Sequence, residues 1–169
     1  MLVLNLGYTA PINRPGQSPV LTASQVWAGL TRKVRHGDEF VPLIVHCEVQ
    51  LEETSAGGEE TITRIIKFKP GAGPKADNEP VKEVCKLYAP CRVDFHQEDG
   101  SKIANCVSQG PTGEPDDLFM TYIFEWRYPG LEAGGEQAKA LEERNKTTAK
   151  VAVESSIETI RRMVAEGKI

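Results

Sequence analysis

The sequence predicts an α+β fold: a seven-stranded curved antiparallel sheet wrapped around a long C-terminal helix, with two short helices between strands 1 and 2. Three observations carry that expectation. Residues 44–128 fall into short runs of period-two alternation separated by Gly- and Pro-rich turns. Residues 137–166 instead repeat apolar side chains at helical spacing, with no Gly or Pro to interrupt them. Ahead of both, Thr22 and Gln25 precede an apolar stripe, the signature of a helix start.

Taken in order, residues 2–13 are rich in β-formers and alternate loosely, and residues 14–19 (RPGQSP) close the run as a loop. Thr22 is placed to N-cap a helix reaching about His36, with Val26, Trp27 and Leu30 on one face and Val34 a turn further on. Gly37 stops it, and residues 38–42 read as a short second helix or turn that buries Phe40 and Val41. Residues 44–52 then alternate, with Val45, Cys47, Val49 and Leu51 facing one way and His46, Glu48 and Gln50 the other. After a turn at 55–58, residues 60–68 put Ile62, Arg64, Ile66 and Phe68 on one face. A long Gly/Pro loop at 70–80 leads to strands at 81–88, 92–97 and 102–109. The last two of these are joined by a hairpin turn at 98–101. A second Gly/Pro loop at 110–117 precedes the richest strand, 118–128 (LFMTYIFEWRY). Gly134-Gly135 releases the final helix, which would run roughly 45 Å at about 1.5 Å per residue. A helix of that length cannot bury its stripe alone, and the consecutive strands supply the matching surface. One domain covering 1–169 is expected, since no repeat or low-complexity segment divides the chain.

The totals exclude several classes. A net charge of −4 gives no broad electrostatic reason to bind nucleic acid or an anionic membrane. No apolar run approaches the roughly 20 residues that a spanning helix needs, so no membrane insertion is expected. Residues 1–6 lack the basic flank and cleavage site of a signal peptide. Cys47, Cys85, Cys91 and Cys106 form no C-x-x-C pair and read as reduced thiols of a cytoplasmic protein. His36, His46 and His96 show no ligand spacing, so neither a metal nor another cofactor is called for. The loop 69–75 (KPGAGPK) lacks the G-K-[ST] ending of a phosphate-binding loop, and a rim over a pocket is the better functional reading. Asn145-Lys146-Thr147 matches a glycosylation sequon, but inside a predicted helix it reads as chance.

The stretches 21–30 (LTASQVWAGL), 107–111 (VSQGP) and 121–127 (TYIFEWR), together with the element order, resemble the helix-grip fold of the START-like (SRPBCC) superfamily. More narrowly, the chain looks like the AtaL-like family, small proteins often encoded beside fungal secondary-metabolite pathways. The resemblance implies a sheet folded around the last helix with a space between them, and such a space is the usual small-ligand site. It carries no catalytic set with it.

Candidate residues therefore come from the strands themselves. On residues 118–128, alternation groups Met120, Tyr122, Phe124, Trp126 and Tyr128 on the bulkier face, with Glu125 and Arg127 on the other. Tyr122 and Trp126 are candidates to line a pocket with a phenol O–H and an indole N–H free to orient a ligand. Plain core packing is the competing expectation. Arg64 is either inward, needing a partner such as Glu83 or Glu125 or an anionic ligand, or outward, with Thr61, Thr63 and Ile65 facing in. Tyr122, Arg64 and Glu125 are the candidate catalytic residues. Trp126, Phe124, Asn105, Tyr88 and Phe68 are the candidate ligand-binding residues of the sheet; Leu141, Asn145, Ala149, Ala152 and Val153 are those of the last helix, where small residues leave room for a ligand.

Two main readings stand side by side. In the first the chain is a secondary-metabolite enzyme of the lyase, cyclase or isomerase type, without a cofactor, orienting an apolar substrate. In the second it is a non-catalytic carrier of a hydrophobic ligand. A third, an interaction module with a collapsed cavity, is weaker. The expected partner is a hydrophobic small molecule, and monomer and homodimer are both compatible with the sequence.

Overall fold

The computed structural model describes residues 1–73 and 77–169. Its elements run β1 (Leu2–Pro11), α1 (Ala23–Arg35), α2 (Gly37–Phe40), β2 (Ile44–Thr54), β3 (Glu60–Phe68), β4 (Val81–Tyr88), β5 (Arg92–Gln97), β6 (Lys102–Gln109), β7 (Leu118–Tyr128) and α3 (Glu136–Ala165). The strands form a seven-stranded curved sheet in the order β1-β7-β6-β5-β4-β3-β2. From β2 to β7 it is a meander of antiparallel neighbours, and β1 returns to pair antiparallel with β7, Leu2 opposite Tyr128 and Pro11 opposite Phe119. This is the α+β architecture that the alternation and the terminal helix predict, in the helix-grip arrangement that the family resemblance implies. No helix among the described residues is long and apolar enough to cross a membrane.

Local chemistry explains the helix ends. The Thr22 backbone N–H donates to Gln25 Oε1 at 2.9 Å, and the Gln25 N–H donates to Thr22 Oγ1 at 3.3 Å, a reciprocal capping box at the start of α1. Helix α3 starts after Gly135 with no side-chain cap, so packing rather than capping holds its first turns. Its second half seats Val153, Ile157 and Ile160 in the main core with Val26 and Leu30 of α1 and Met120 of β7. The two helices approach so closely that a Cβ on Gly29 would lie 2.4 Å from Ile160 Cγ1.

Strand β2 departs from the simple alternation. Register shifts lie between Ile44 and His46 and between Val49 and Leu51. Cys47 and Val49 stay on the inner side opposite Ile66 and Arg64, but the extra residue Gln50 turns Leu51 outward, opposite Thr63. Val45 is the extra residue of the first irregularity. Both are left exposed, at 55% for Val45 and 49% for Leu51. Period-two reasoning cannot see an inserted residue, which is why the sequence grouped them with Cys47.

Candidate functional site

A cavity of about 530 Å³ lies between the inner face of the sheet and the first half of α3. Its lining is graded. Towards solvent it is bounded by Leu43, Gly71, Ala72 and Gly73 and by Gln137, Leu141 and Arg144 of α3. Pro74 and Lys75 of the loop expected to form a rim lie outside the described residues. Further in, Phe124 and Trp126 present stacked rings 4.5 Å apart, and Tyr122 meets Phe124 edge-on at 6.2 Å. The buried end is polar: Lys33, Arg64, Glu83, Asn105 and Tyr122 line it, each no more than 5% exposed.

Arg64 faces in, and the outward alternative is set aside. Its Nε and Nη2 donate to Glu83 Oε2 at 2.8 and 2.6 Å, and Nη1 donates to the carbonyls of Lys33 and Val34 at 2.8 and 2.9 Å. Gln97 Nε2 donates to the other Glu83 oxygen at 2.8 Å. A buried guanidinium is tolerable only when paired in this way. Burial is the largest single influence and works against its charge, but Glu83 together with the nearby Cys85 and Cys47 thiols holds the Arg64 pKa above its ordinary value. Because most of its N–H groups are spent on Glu83 and the end of α1, Arg64 acts on the cavity through its field and by fixing Lys33.

Lys33 is the residue the sequence reading missed. Its Nζ donates to Tyr122 Oη at 2.9 Å and stands 4.2 Å from the centre of the Tyr122 ring. Loss of water on burial, reinforced by repulsion from Arg64 and only partly offset by Glu83, pulls its pKa from 10.5 down to about 7. Burial raises the Tyr122 phenol in the opposite sense. As pH rises through about 7 the pair becomes amine and phenol, a base and an acid in direct contact. The signal was present in the spacing: Val26, Leu30 and Lys33 fall at i, i+4 and i+7 on the buried stripe of α1.

The other predicted residues divide. Phe68, Asn105, Tyr122, Phe124, Trp126, Leu141, Asn145 and Ala152 all stand on the cavity wall. Asn145 is held there by Tyr128, its Nδ2 donating to the phenol oxygen at 2.9 Å. Four candidates, Glu125, Tyr88, Ala149 and Val153, stand elsewhere. Glu125 lies on the outer face of β7, where it accepts from Arg127 Nε at 3.0 Å, because alternation sends it away from Phe124 and Trp126. Tyr88 likewise falls on the outer side of β4 and carries Arg92 over its ring at 4.2 Å. Ala149 and Val153 are fully buried in the core instead of lining the cavity, because α3 closes on the sheet there. The three histidines stand away from the cavity wall, and all four cysteines are free thiols. Cys85, behind Arg64, has its thiol pushed up to about 12 by burial, which makes it a poor nucleophile. Among the described residues no three His, Cys, Asp or Glu side chains are grouped so as to hold a metal ion.

With this geometry in view, the family described as Acetylaranotin biosynthesis cluster protein L matches residues 6–167 of the chain. The Acetylaranotin biosynthesis cluster protein L of Aspergillus terreus is 29% identical over 163 residues, which cover 96% of this chain and 91% of that protein. Among solved structures, the Zhui aromatase/cyclase from a Streptomyces species shares the fold with a TM-score of 0.63 at 15% identity, over 96% of both chains. A START superfamily protein from Mycobacterium smegmatis does so at 0.57 and 10% identity, over 94% of this chain and 98% of that one. The di-domain aromatase/cyclase BexL gives 0.62 at 14% identity over 95% of this chain, which spans 50% of BexL's length.

Proposed function

The chain belongs to the acetylaranotin biosynthesis cluster protein L family, and from that premise we propose that it is a secondary-metabolite biosynthesis enzyme, binding an apolar small molecule between sheet and C-terminal helix. The reaction is of the lyase, cyclase or isomerase type and needs no cofactor. The observation that carries this reading is the contact between Lys33 and Tyr122 at the buried end of the cavity, 2.9 Å from Nζ to Oη. In the proposed step neutral Lys33 removes a proton from carbon next to a substrate carbonyl. Tyr122 donates its O–H to the oxygen on which negative charge develops, and the cation of Arg64 stabilises that charge through space. Closure of a ring, loss of a leaving group or return of the proton elsewhere then follows from how the aromatic wall orients the intermediate. The name of the Aspergillus relative and the aromatase/cyclases among the fold neighbours agree with a biosynthetic role.

A carrier would need only the apolar wall. Burying an amine, a guanidinium and a carboxylate beside it is costly, and carriage gives no reason for that cost.

The test is incubation of the protein with the intermediates of its own gene neighbourhood, followed by mass spectrometry of the products. Turnover should rise as pH is raised through about 7, as Lys33 loses its proton. Tyr122→Phe should lower turnover by roughly 10²–10⁴ while changing affinity only a few-fold. Binding without turnover by the unaltered protein would instead establish a carrier, and unchanged turnover in the Phe variant would remove Tyr122 from the mechanism.

A further inference from the structure

Asn105 presents an unmet demand in this cavity. It is 1% exposed and lines the buried end, yet neither Oδ1 nor Nδ2 has a hydrogen-bond partner among the described residues. Its cross-strand neighbours on β5 and β7 are Val93 and Tyr122, and the Tyr122 hydroxyl is engaged by Lys33. A buried carboxamide with both ends unpaired is costly, and leucine would fill a similar volume without that cost. The group therefore needs a complement, and the cavity is where one can come from.

From this we infer that Asn105 recognises a cis secondary amide, most simply a lactam, on the ligand; the inference rests on the cavity reading above and names its substrate class. The primary carboxamide presents a C=O acceptor and an N–H donor side by side on one edge. Only a ligand edge with the same pair in reverse satisfies both at once. In a cis amide, N–H and C=O lie on the same edge and close a ring of two hydrogen bonds with the side chain. In a trans amide they point opposite ways, and only one is met. A carboxylate has acceptors alone. A ketone or ester meets half the demand. Since Asn105 and Tyr122 are paired across β6 and β7, an amide edge held by Asn105 brings the adjoining carbon towards the Lys33–Tyr122 contact. The carbon next to the amide carbonyl is the acidic position that the proposed proton transfer requires.

The experiment compares three flat bicyclic probes of nearly equal size by calorimetric titration: the lactam carbostyril, its lactone counterpart coumarin, and naphthalene. The unaltered protein should bind carbostyril at least about tenfold more tightly than coumarin, because the lactone has no donor and leaves Oδ1 unpaired. In Asn105→Leu the preference should fall below about twofold, while naphthalene binds as well as before or better. A thermal melt of that variant checks its fold, and the probe comparison in the unaltered protein stands without it. Equal binding of carbostyril and coumarin, or a preference that survives in the Leu variant, overturns the inference while naphthalene binding upholds the cavity. Failure of all three probes to bind overturns both.

Discussion

Replacing Lys33 by methionine should make the protein more stable and less active, and the size of the gain follows from the site. Burial holds the Lys33 pKa at about 7 against 10.5 in the open chain. At about 1.4 kcal/mol per pH unit, that difference means the folded state forgoes roughly 4–5 kcal/mol at pH 7. Methionine matches the stem of lysine, carries no charge and leaves Tyr122 without its donor, a loss of about 1–3 kcal/mol. The net gain at pH 7 is then about 1–4 kcal/mol, each kcal/mol raising Tm by roughly 2–4 °C for a chain of this size. The sign reverses with pH. Between about 7 and 10.5 the unfolded chain binds the proton that the folded one has released, so the unaltered protein gains stability as pH rises through that window. Its curve should cross that of Lys33→Met between about pH 8 and 10, and above the crossing the variant should be the weaker. Urea denaturation at half-unit pH steps reads this directly. A variant less stable at every pH would show that Lys33 is not held neutral by its surroundings, and the base assigned to the mechanism would go with it.

Glu83→Gln should cost about 3–5 kcal/mol, because it strips the charge partner from a buried guanidinium. It should also move the rising limb of the pH–rate profile to lower pH, since Glu83 supports the protonated form of Lys33. A loss below about 1 kcal/mol in urea would mean that the Lys33 and Val34 carbonyls suffice to hold Arg64. Gly29→Ala should cost about 1–3 kcal/mol through collision with Ile160, and Ile160→Ala in the same chain should recover part of that loss. Additive losses in the double variant would place the strain elsewhere.

Strands β4 to β7 were legible because they are short, alternate, and lie between Gly- or Pro-containing turns, so that their limits match the sequence reading. Thr22 and Gln25 announced α1 for an equally local reason. The site was harder, since its parts converge from α1, β3, β4, β6 and β7. Lys33 was hidden by its type: a lysine on an amphipathic helix is normally solvated, and only the spacing from Val26 argued otherwise. Arg64 was undecidable from its own strand, because both registers of 60–68 offer an apolar face; Glu83 opposite it in β4 resolves the choice. Along α3, small residues suggested room for a ligand from Leu141 to Val153, but small residues also permit close approach. The helix uses Ala152 for the first purpose and Ala149 for the second.

The split of α3 between a core half and a cavity half has a consequence for how such a protein diversifies. Lys33, Tyr122, Arg64 and Glu83 are braced against one another by α1 and the sheet, and none of them leans on Gln137, Leu141, Arg144 or Thr148. Those four positions border the cavity from a stretch of helix that the core does not depend on, because the packing is carried further along by Val153, Ile157 and Ile160. Gene copies could exchange them freely, resizing the entrance for a new scaffold while inheriting the proton-transfer machinery intact. On the proposed reading, substrate range and reactivity are separately heritable traits in this architecture, one written on the opening turns of α3 and the other on α1 and the strands.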